Sequence, residues 1–448
     1  MPRSTPSKML RRSRALSGSW RMWKMRLVFW AGAGAIGVVS VGFAWLADRA
    51  QGLFHTITHA TQWTFLLPLL LTPAGFALCA LLAGKVFPAS QGSGIPQAIA
   101  ARHIDDPAGR SRLLSMRIAI GKVLLTAIGL LCGGSIGREG PTVQVGASIM
   151  LFCARIGGMA RADGLILAGS AAGIAAAFNT PLAGIVFAIE EMSKTYHSRV
   201  NSLVLIAVIV SGLAALGLVG SYTYFGTANP TVSGLRDWML VGLCGIGGGA
   251  FGALFSAGAL TLMRRIRRWT QLSAMPLRRA VLLAAVCGLG VALIGILTGG
   301  ATYGTGYEQA RGAVEGEALP LLFFAQKLAA SFLTMISGIP GGIFAPSLSV
   351  GAGLGSTAAS LTGSSIALGA ILGMAGYFAG VVQAPMTAFV IIMEMTASHD
   401  SAIAIMTAAM LGYATSRLLS REPLYHGLSR PFLAEAIRAS RAAERSHS

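Results

Sequence analysis

The residues with the most chemistry to offer sit where the chain can least tolerate charge. Arg138 and Glu139 lie within Cys132-Gly-Gly-Ser-Ile-Gly-Arg-Glu-Gly-Pro-Thr142, a break in a long apolar region. Charges at membrane depth are expensive and tend to mark a pathway. The glycines and proline around them indicate broken helix, tolerated in a bilayer only where it lines a cavity or is buried in protein. Two further breaks share the pattern, Gly92-Ser-Gly-Ile-Pro96 and Gly342-Ile-Phe-Ala-Pro346. In each, proline fits the first turn of a following helix, where its missing N–H costs nothing. A helix N-terminus carries roughly half a positive charge and up to about four unpaired donors, so it favours an anion. Three such termini meeting at mid-membrane would make an anion site from backbone amides and one hydroxyl, Ser93. Such a field, without fully charged ligands, suits conduction, because binding must stay weak enough to release. Chloride is the obvious small anion. The plainer alternative is three turns between helices, which the shared pattern disfavours.

Glu139 is the unusual member of this set. A carboxylate at the mouth of an anion site competes with the anion for the same donors. It leaves only by swinging away or by taking a proton, so it is suited to be both gate and proton acceptor. The alternative is an Arg138–Glu139 pair, but adjacent side chains rarely pair well; Arg138 is expected to raise the potential at the pore mouth. Glu190 and Glu191 end an apolar run before the polar segment Met192 to Arg199. They are either an interfacial carboxylate pair or a proton access point. Lys122 and Lys327 are single cations within apolar runs. Snorkelling explains one such lysine; a matched pair is expected to support the field around the site. Tyr425, in Arg421-Glu-Pro-Leu-Tyr425, closes the last apolar run; its phenol could donate to an anion or belong to an aromatic belt. No His-Glu-x-x-His or phosphate-binding loop occurs, so no enzyme activity, cofactor or metal is expected. The five cysteines, Cys79, Cys132, Cys153, Cys244 and Cys287, lack ligand spacing and read as small buried hydrophobes.

The elements that position these residues must span a bilayer. The chain of 448 residues is 54% hydrophobic and 11% charged, with mean hydropathy +0.66, which excludes an ordinary soluble enzyme. Clear apolar runs lie at about 28–46, 63–84, 113–134, 200–219, 238–263, 280–298, 318–337 and 364–382. Shorter ones near 144–157, 165–178, 182–189 and 385–395 fall below the ~20 residues a spanning helix needs and point to broken helices. The alternation of barrel strands is missing. The first run is too long for a signal-peptide core and lacks a small-residue cleavage site, so it is expected to be an uncleaved span. The formal charge of +19 concentrates in the N-terminus from Arg3 to Arg26, in Arg264 to Arg279, and in the tail from Arg417. The positive-inside bias places all three clusters, and so both termini, in the cytoplasm. They are expected to contact anionic lipid, and not nucleic acid, because no soluble domain accompanies them.

The chain also repeats itself. Lys327 lies 19 residues before Pro346, as Lys122 lies 19 before Pro141. Gly304-Thr-Gly-Tyr-Glu-Gln-Ala310 echoes Gly92 to Ala98, Gly342 to Ala352 matches Gly137 to Ala147, and Gly373, Pro385 and Glu394 match Gly169, Pro181 and Glu190. The expected organisation is a basic cytoplasmic segment (1–27), a first membrane repeat (28–220), a connecting loop (221–235), a second membrane repeat (236–428) and a basic cytoplasmic tail (429–448). Repeats of this kind build transporters whose site lies at the repeat interface. Spacing alone leaves open whether the halves run parallel or inverted.

Gly-Ser-Gly-Ile-Pro, Gly-Arg-Glu-Gly-Pro and Gly-Ile-Phe-Ala-Pro, in that order, with Gly169 to Glu191 and Pro423-Leu-Tyr425, resemble the signature of the CLC chloride channel and transporter family. The resemblance covers about residues 28–428. It implies an all-α polytopic membrane protein with a CLC-type inverted repeat of tilted and broken helices, assembled as a homodimer with one pathway per subunit. It implies that Ser93 and Tyr425 hold a central chloride through their hydroxyls, aided by the N–H groups of Ile343 and Phe344. Backbone amides around Arg138, Glu139 and Gly140 would form an outer site. Glu139 matches the external gate and proton acceptor; Glu191 matches the internal proton-transfer glutamate that exchangers tend to keep and channels lack. Ser93 matches the chloride-preferring form, where nitrate-preferring relatives carry proline, and the chain lacks the departures of the fluoride-selective branch. The implied function is chloride/proton antiport across the cell (inner or plasma) membrane. A passive gated chloride channel of the same fold is the alternative, and a non-transporting membrane scaffold a more distant one. Three features depart from the family pattern. Thr180 stands where alanine is usual, the long basic N-terminus lies outside the motif set, and the 23 residues after Tyr425 are too few for the cytoplasmic CBS pair of many relatives.

Overall fold

Long apolar segments with few internal charges satisfy their backbone only as helices, and helices make up the architecture. The computed structural model describes residues 20–61, 63–159, 162–193, 202–220 and 223–447. In chain order the helices are α1 (Trp20–Thr58), α2 (Pro68–Lys85), α3 (Ile95–Arg102), α4 (Pro107–Leu113), α5 (Met116–Leu131), α6 (Glu139–Gly157), α7 (Ala162–Phe178), α8 (Pro181–Phe187), α9 (Ser202–Val219), α10 (Leu235–Gln271), α11 (Pro276–Leu297), α12 (Tyr307–Val314), α13 (Phe323–Ile336), α14 (Phe344–Thr362), α15 (Ile366–Val382), α16 (Pro385–Thr396), α17 (Ala402–Leu419) and α18 (Leu424–His447). A six-residue π-helical turn, Ala188–Ser193, continues α8. Among the described residues, 7 helical stretches are long and apolar enough to cross a bilayer. The basic residues Arg3 to Arg14 and the polar residues 194–199 lie outside the described residues.

Two expected spans are shorter than their apolar runs. The run at 318–337 becomes a helix only from Phe323, giving 14 residues, because Pro320 and its acidic approach, Glu315 and Glu317, keep the preceding stretch out of helix. The run at 364–382 gives the 17-residue α15. Conversely, α17 is long and apolar enough to span with a mean hydropathy of only 1.4, since Thr407, Tyr413, Ser416 and Arg417 dilute its apolar signal. At about 1.5 Å per residue, the 37 residues of α10 measure roughly 55 Å, well beyond a hydrocarbon core of about 30 Å. Its Arg264-to-Arg268 end pairs with the last segment of the chain, through Arg264–Glu422 and Arg267–Glu435 at 3.5 Å.

α15 is buried along almost its whole length, as expected of a helix apolar on every face. The outer helices instead expose large apolar side chains, including Leu70, Leu213, Leu297 and Leu418, the pattern of a protein whose outer solvent is lipid.

The repeat has a structural counterpart in each half. α6 and α7 cross with their backbones touching: a methyl on Gly146 would lie 2.3 Å from the Gly169 oxygen, and one on Gly169 2.4 Å from the Gly146 oxygen. α14 and α15 make the equivalent crossing through Gly351 and Gly373, with corresponding distances of 2.6 and 2.2 Å. Glycine at these four places permits the close approach on which helix packing in lipid depends. The two halves also bind each other. Gly137 and Gly342 exchange N–H···O bonds in both directions at 2.7 Å, an antiparallel bridge between residues equivalent in the repeat. Glu190, in the turn after α8, accepts from the N–H groups of Met386 (3.1 Å) and Thr387 (2.6 Å) at the start of α16. Glu394, near the end of α16, returns the contact to Leu182 (3.1 Å) and Ala183 (2.7 Å) at the start of α8. Such reciprocity places equivalent elements about a local two-fold axis.

Candidate functional site

The antiparallel bridge between Gly137 and Gly342 sets where the next two helices start. One residue further on in each half, Arg138 and Ile343 act as N-caps, and α6 and α14 begin at Glu139 and Phe344. The two N-termini are pressed together: a methyl on Gly342 would lie 3.0 Å from the Gly140 nitrogen. α3 joins them from the first half. Its N-cap, Gly94, adopts φ +100°, a left-handed conformation that glycine takes without strain, and its Cα faces Gln144 and the Gly140 oxygen. The Gln144 amide holds this corner by donating to the carbonyls of Ala89 and Leu113, each at 3.0 Å. A methyl on Gly140 would meet Ser93 Oγ at 2.3 Å. The three glycine-rich breaks therefore converge, and Ser93 lies where they meet.

The lysines serve these loops. Lys122 is buried and its Nζ donates to the carbonyls of Ser90 at 2.5 Å and Gly92 at 2.8 Å, bracing the segment that carries Ser93. Lys327 does the same in the second half, at 2.9 Å to Thr302 and 2.8 Å to Gly304. Each ammonium gathers carbonyls that a broken helix would otherwise leave unpaired.

Tyr425, in the first turn of α18, is fully buried with its ring 5.9 Å from that of Phe344. Its hydroxyl faces that of Ser93, yet neither oxygen meets hydrogen-bonding geometry with an atom of the described residues. A buried hydroxyl left so costs about 1–3 kcal/mol, and an acceptor held between the two would recover it. Phe344 forms the apolar wall, packed edge-to-face on Phe378 at 4.8 Å and on Phe187 at 6.0 Å. Ile343 is buried beside it.

Glu139 is completely buried. Its Oε2 would lie 2.3 Å from a methyl on Gly137, and the same methyl position is 3.3 Å from the Ala345 nitrogen. The carboxylate thus sits at the start of α14, beside amides that an anion would use. Arg138 turns the other way. Its Nη1 donates to Asp48 Oδ1 at 2.5 Å and to the Ala44 carbonyl at 2.9 Å, and its guanidinium is 6.0 Å from the Tyr224 ring. It lines a cavity of about 750 Å³ with Asp48, His55, His59, Tyr224 and Tyr307, so its pairing partner is Asp48 and not Glu139. Asp48 carries no signal in the sequence beyond being an acid next to Arg49 in an apolar helix.

Glu190 and Glu191 have separate tasks. The π-helical turn adds a residue to the helical repeat, so Glu190 faces α16 while Glu191 is turned inward and buried. Both Glu191 and Glu139 lie within electrostatic reach of the Tyr425 hydroxyl. The far end of the turn is tied to α3 by Arg102, whose Nη1 donates to the Met192 carbonyl. His426, the residue after Tyr425, places Nε2 3.0 Å from the Glu191 carbonyl oxygen. Sequence reasoning misses it, because a single histidine at a membrane-run end has no pattern to betray it.

Three solved structures share this arrangement of helices. The chain is similar to a slow cyanobacterial Cl⁻/H⁺ antiporter, at 24% identity and TM-score 0.78, covering 92% of this chain and 98% of that one. It is similar to a CLC-type fluoride/proton antiporter at 23% identity and TM-score 0.74, over 92% and 99% of the two chains. A eukaryotic CLC transporter matches at 21% identity and TM-score 0.73, over 91% of this chain and 74% of its own. The voltage gated chloride channel family matches residues 75–417. With the two-fold frame and three converging N-termini, that match over most of the chain makes this multi-pass membrane protein a member of the CLC family of anion transport proteins.

Proposed function

We propose that the chain exchanges chloride for protons, with Glu139 as external gate and proton acceptor and Glu191 as internal proton-transfer group. The facing hydroxyls of Ser93 and Tyr425 carry this reading, since they are buried and, among the described residues, lack hydrogen-bonding geometry where α3, α6 and α14 begin. Chloride accepts from both hydroxyls and from amides of Ile343 and Phe344. Backbone donors around Arg138, Glu139 and Gly140 form the outer position, which the Glu139 carboxylate and the anion occupy in turn. Antiport is named for two of the similar structures, one with chloride and one with fluoride; the serine at position 93 favours chloride. The protein acts in the cell (inner or plasma) membrane with both termini cytoplasmic. It works as a homodimer with one pathway per subunit.

The test is simultaneous recording of chloride and proton flux from liposomes. A chloride gradient is expected to drive protons uphill, Glu139→Gln to retain chloride flux without protons, and Glu191→Gln to lose proton flux preferentially. A parent chain whose chloride current carries no protons at any pH would instead be a channel. Preference for fluoride over chloride in the same vesicles would overturn the assignment of the anion.

A further inference from the structure

A buried carboxylate that exchanges protons with one aqueous side needs a titratable group or a water between it and that side. The Glu191 side chain is 1% exposed, whereas that of His426 is 24% exposed and reaches it. The imidazole Nε2 lies 3.0 Å from the Glu191 carbonyl oxygen and 3.8 Å from Glu191 Oε1. A ring nitrogen that close to a carbonyl oxygen must carry the hydrogen, which makes Nδ1 the basic nitrogen of the neutral ring. The backbone that seats the Tyr425 phenol in the anion site therefore also holds an imidazole against the proton site. Among the described residues, the neighbouring charges Arg102 and Glu422 have partners of their own. Arg102 donates to the Met192 carbonyl, and Glu422 is held by Arg264 and by Arg430, the latter at 2.8 Å.

We propose that His426 relays protons between Glu191 and the solution on the side of the Arg264-to-Arg268 cluster. The proposal rests on the reading of Glu191 as the internal proton-transfer group. In the inward step Nδ1 takes a proton from water, the Nε2–H bond breaks, and an O–H bond forms on the Glu191 carboxyl. The ring resets by returning the Nδ1 proton to water and taking one from water at Nε2. The net change is one proton moved from water to carboxylate, with no other reactant. The 3.8 Å separation exceeds a direct hydrogen bond of about 3 Å, so transfer uses a small rotation of the ring or one bridging water.

The test uses the full chain in liposomes, with His426→Gln, His426→Ala and Glu191→Gln beside the parent. Glutamine keeps a donor for the Glu191 carbonyl but cannot relay, so proton flux is expected to fall at least about tenfold and chloride to lose its fixed proton partner. In His426→Ala, free imidazole on the tail side is expected to restore proton flux in proportion to its concentration, which a structural role would not produce. If His426→Gln does not fold, His426→Asn takes its place. Proton flux at the parent rate in these variants, or no rescue by imidazole, overturns the relay while Glu191→Gln still uncouples. A parent chain that moves no protons overturns the reading of Glu191 itself.

Discussion

Gly137→Ala separates the gate from the frame that holds it. The added methyl would lie 2.3 Å from Glu139 Oε2, 3.2 Å from Ala345 Cβ and 3.3 Å from the Ala345 nitrogen. Gly137 does not use the left-handed backbone region, so alanine brings no backbone strain. A carbon–oxygen contact settles near 3.3 Å, so the carboxylate must retreat by about 1 Å while α14 gives by a few tenths. Overpacking of this kind costs about 1–3 kcal/mol. Because the crowded atom is the end of a side chain able to swing out, the cost falls on the seated position of Glu139 and not on the fold. Its occupancy of that seat is then expected to drop roughly 5- to 150-fold. In liposomes, chloride flux of the variant should lose much of its pH dependence and carry fewer protons per chloride, approaching Glu139→Gln. Gly140→Ala is the contrast. Its methyl meets Ser93 Oγ at 2.3 Å but also the Ser93 carbonyl oxygen at 3.1 Å and Gly342 Cα at 3.3 Å. It should weaken chloride binding without altering the pH profile. A folded Gly137→Ala protein with the parent's pH profile and coupling would refute the placement of the carboxylate.

Two further perturbations read the frame itself. Lys122→Met and Lys327→Met each remove a buried ammonium from three carbonyls, and each is expected to lower stability by about 3 kcal/mol, measured by denaturation in detergent. Chloride affinity should fall only for Lys122→Met, because only that lysine braces the loop bearing Ser93. Replacing Glu190 or Glu394 by alanine leaves two N–H groups of the opposite half uncapped. Each should cost about 1–2 kcal/mol by the same measurement, equally for the two because the contacts are equivalent.

Much of this arrangement is legible in the chain alone. The glycine–proline breaks and the lysines paired at the same distance before two of them all obey short-range rules, since a helix start and a buried ammonium have local requirements. The roles of the lysines are not legible in the same way. Their pairing suggests a field around the site, whereas each is spent on the carbonyls of the loop before its neighbouring short helix. Asp48 and His426 are illegible for a different reason. Asp48 meets Arg138 across 90 residues of chain, and His426 meets Glu191 across 235, so no window of sequence contains either pair. Likewise, Glu190 and Glu191 are neighbours in sequence, and only the π-helical turn separates one as a cap on α16 from the other facing the site.

The two halves share a backbone device and differ in what they hang on it. Each bends through a glycine, bridges to the other at Gly137 and Gly342, and starts a helix one residue after an N-cap. At the first helical position one half carries Glu139 and the other Phe344, both fully buried. A carboxylate there can trade its place with an anion; a phenyl ring clamped among Phe178, Phe187, Phe378 and Tyr425 cannot. Motion of one half against the other would have to break the Gly137–Gly342 bonds at 2.7 Å and the Glu190 and Glu394 caps, at about 1 kcal/mol net for each hydrogen bond. Swinging one glutamate breaks none of them. On the proposed mechanism, the asymmetry of the repeat confines the moving part to the half that can titrate, and leaves the other half as the fixed amides and wall against which it works.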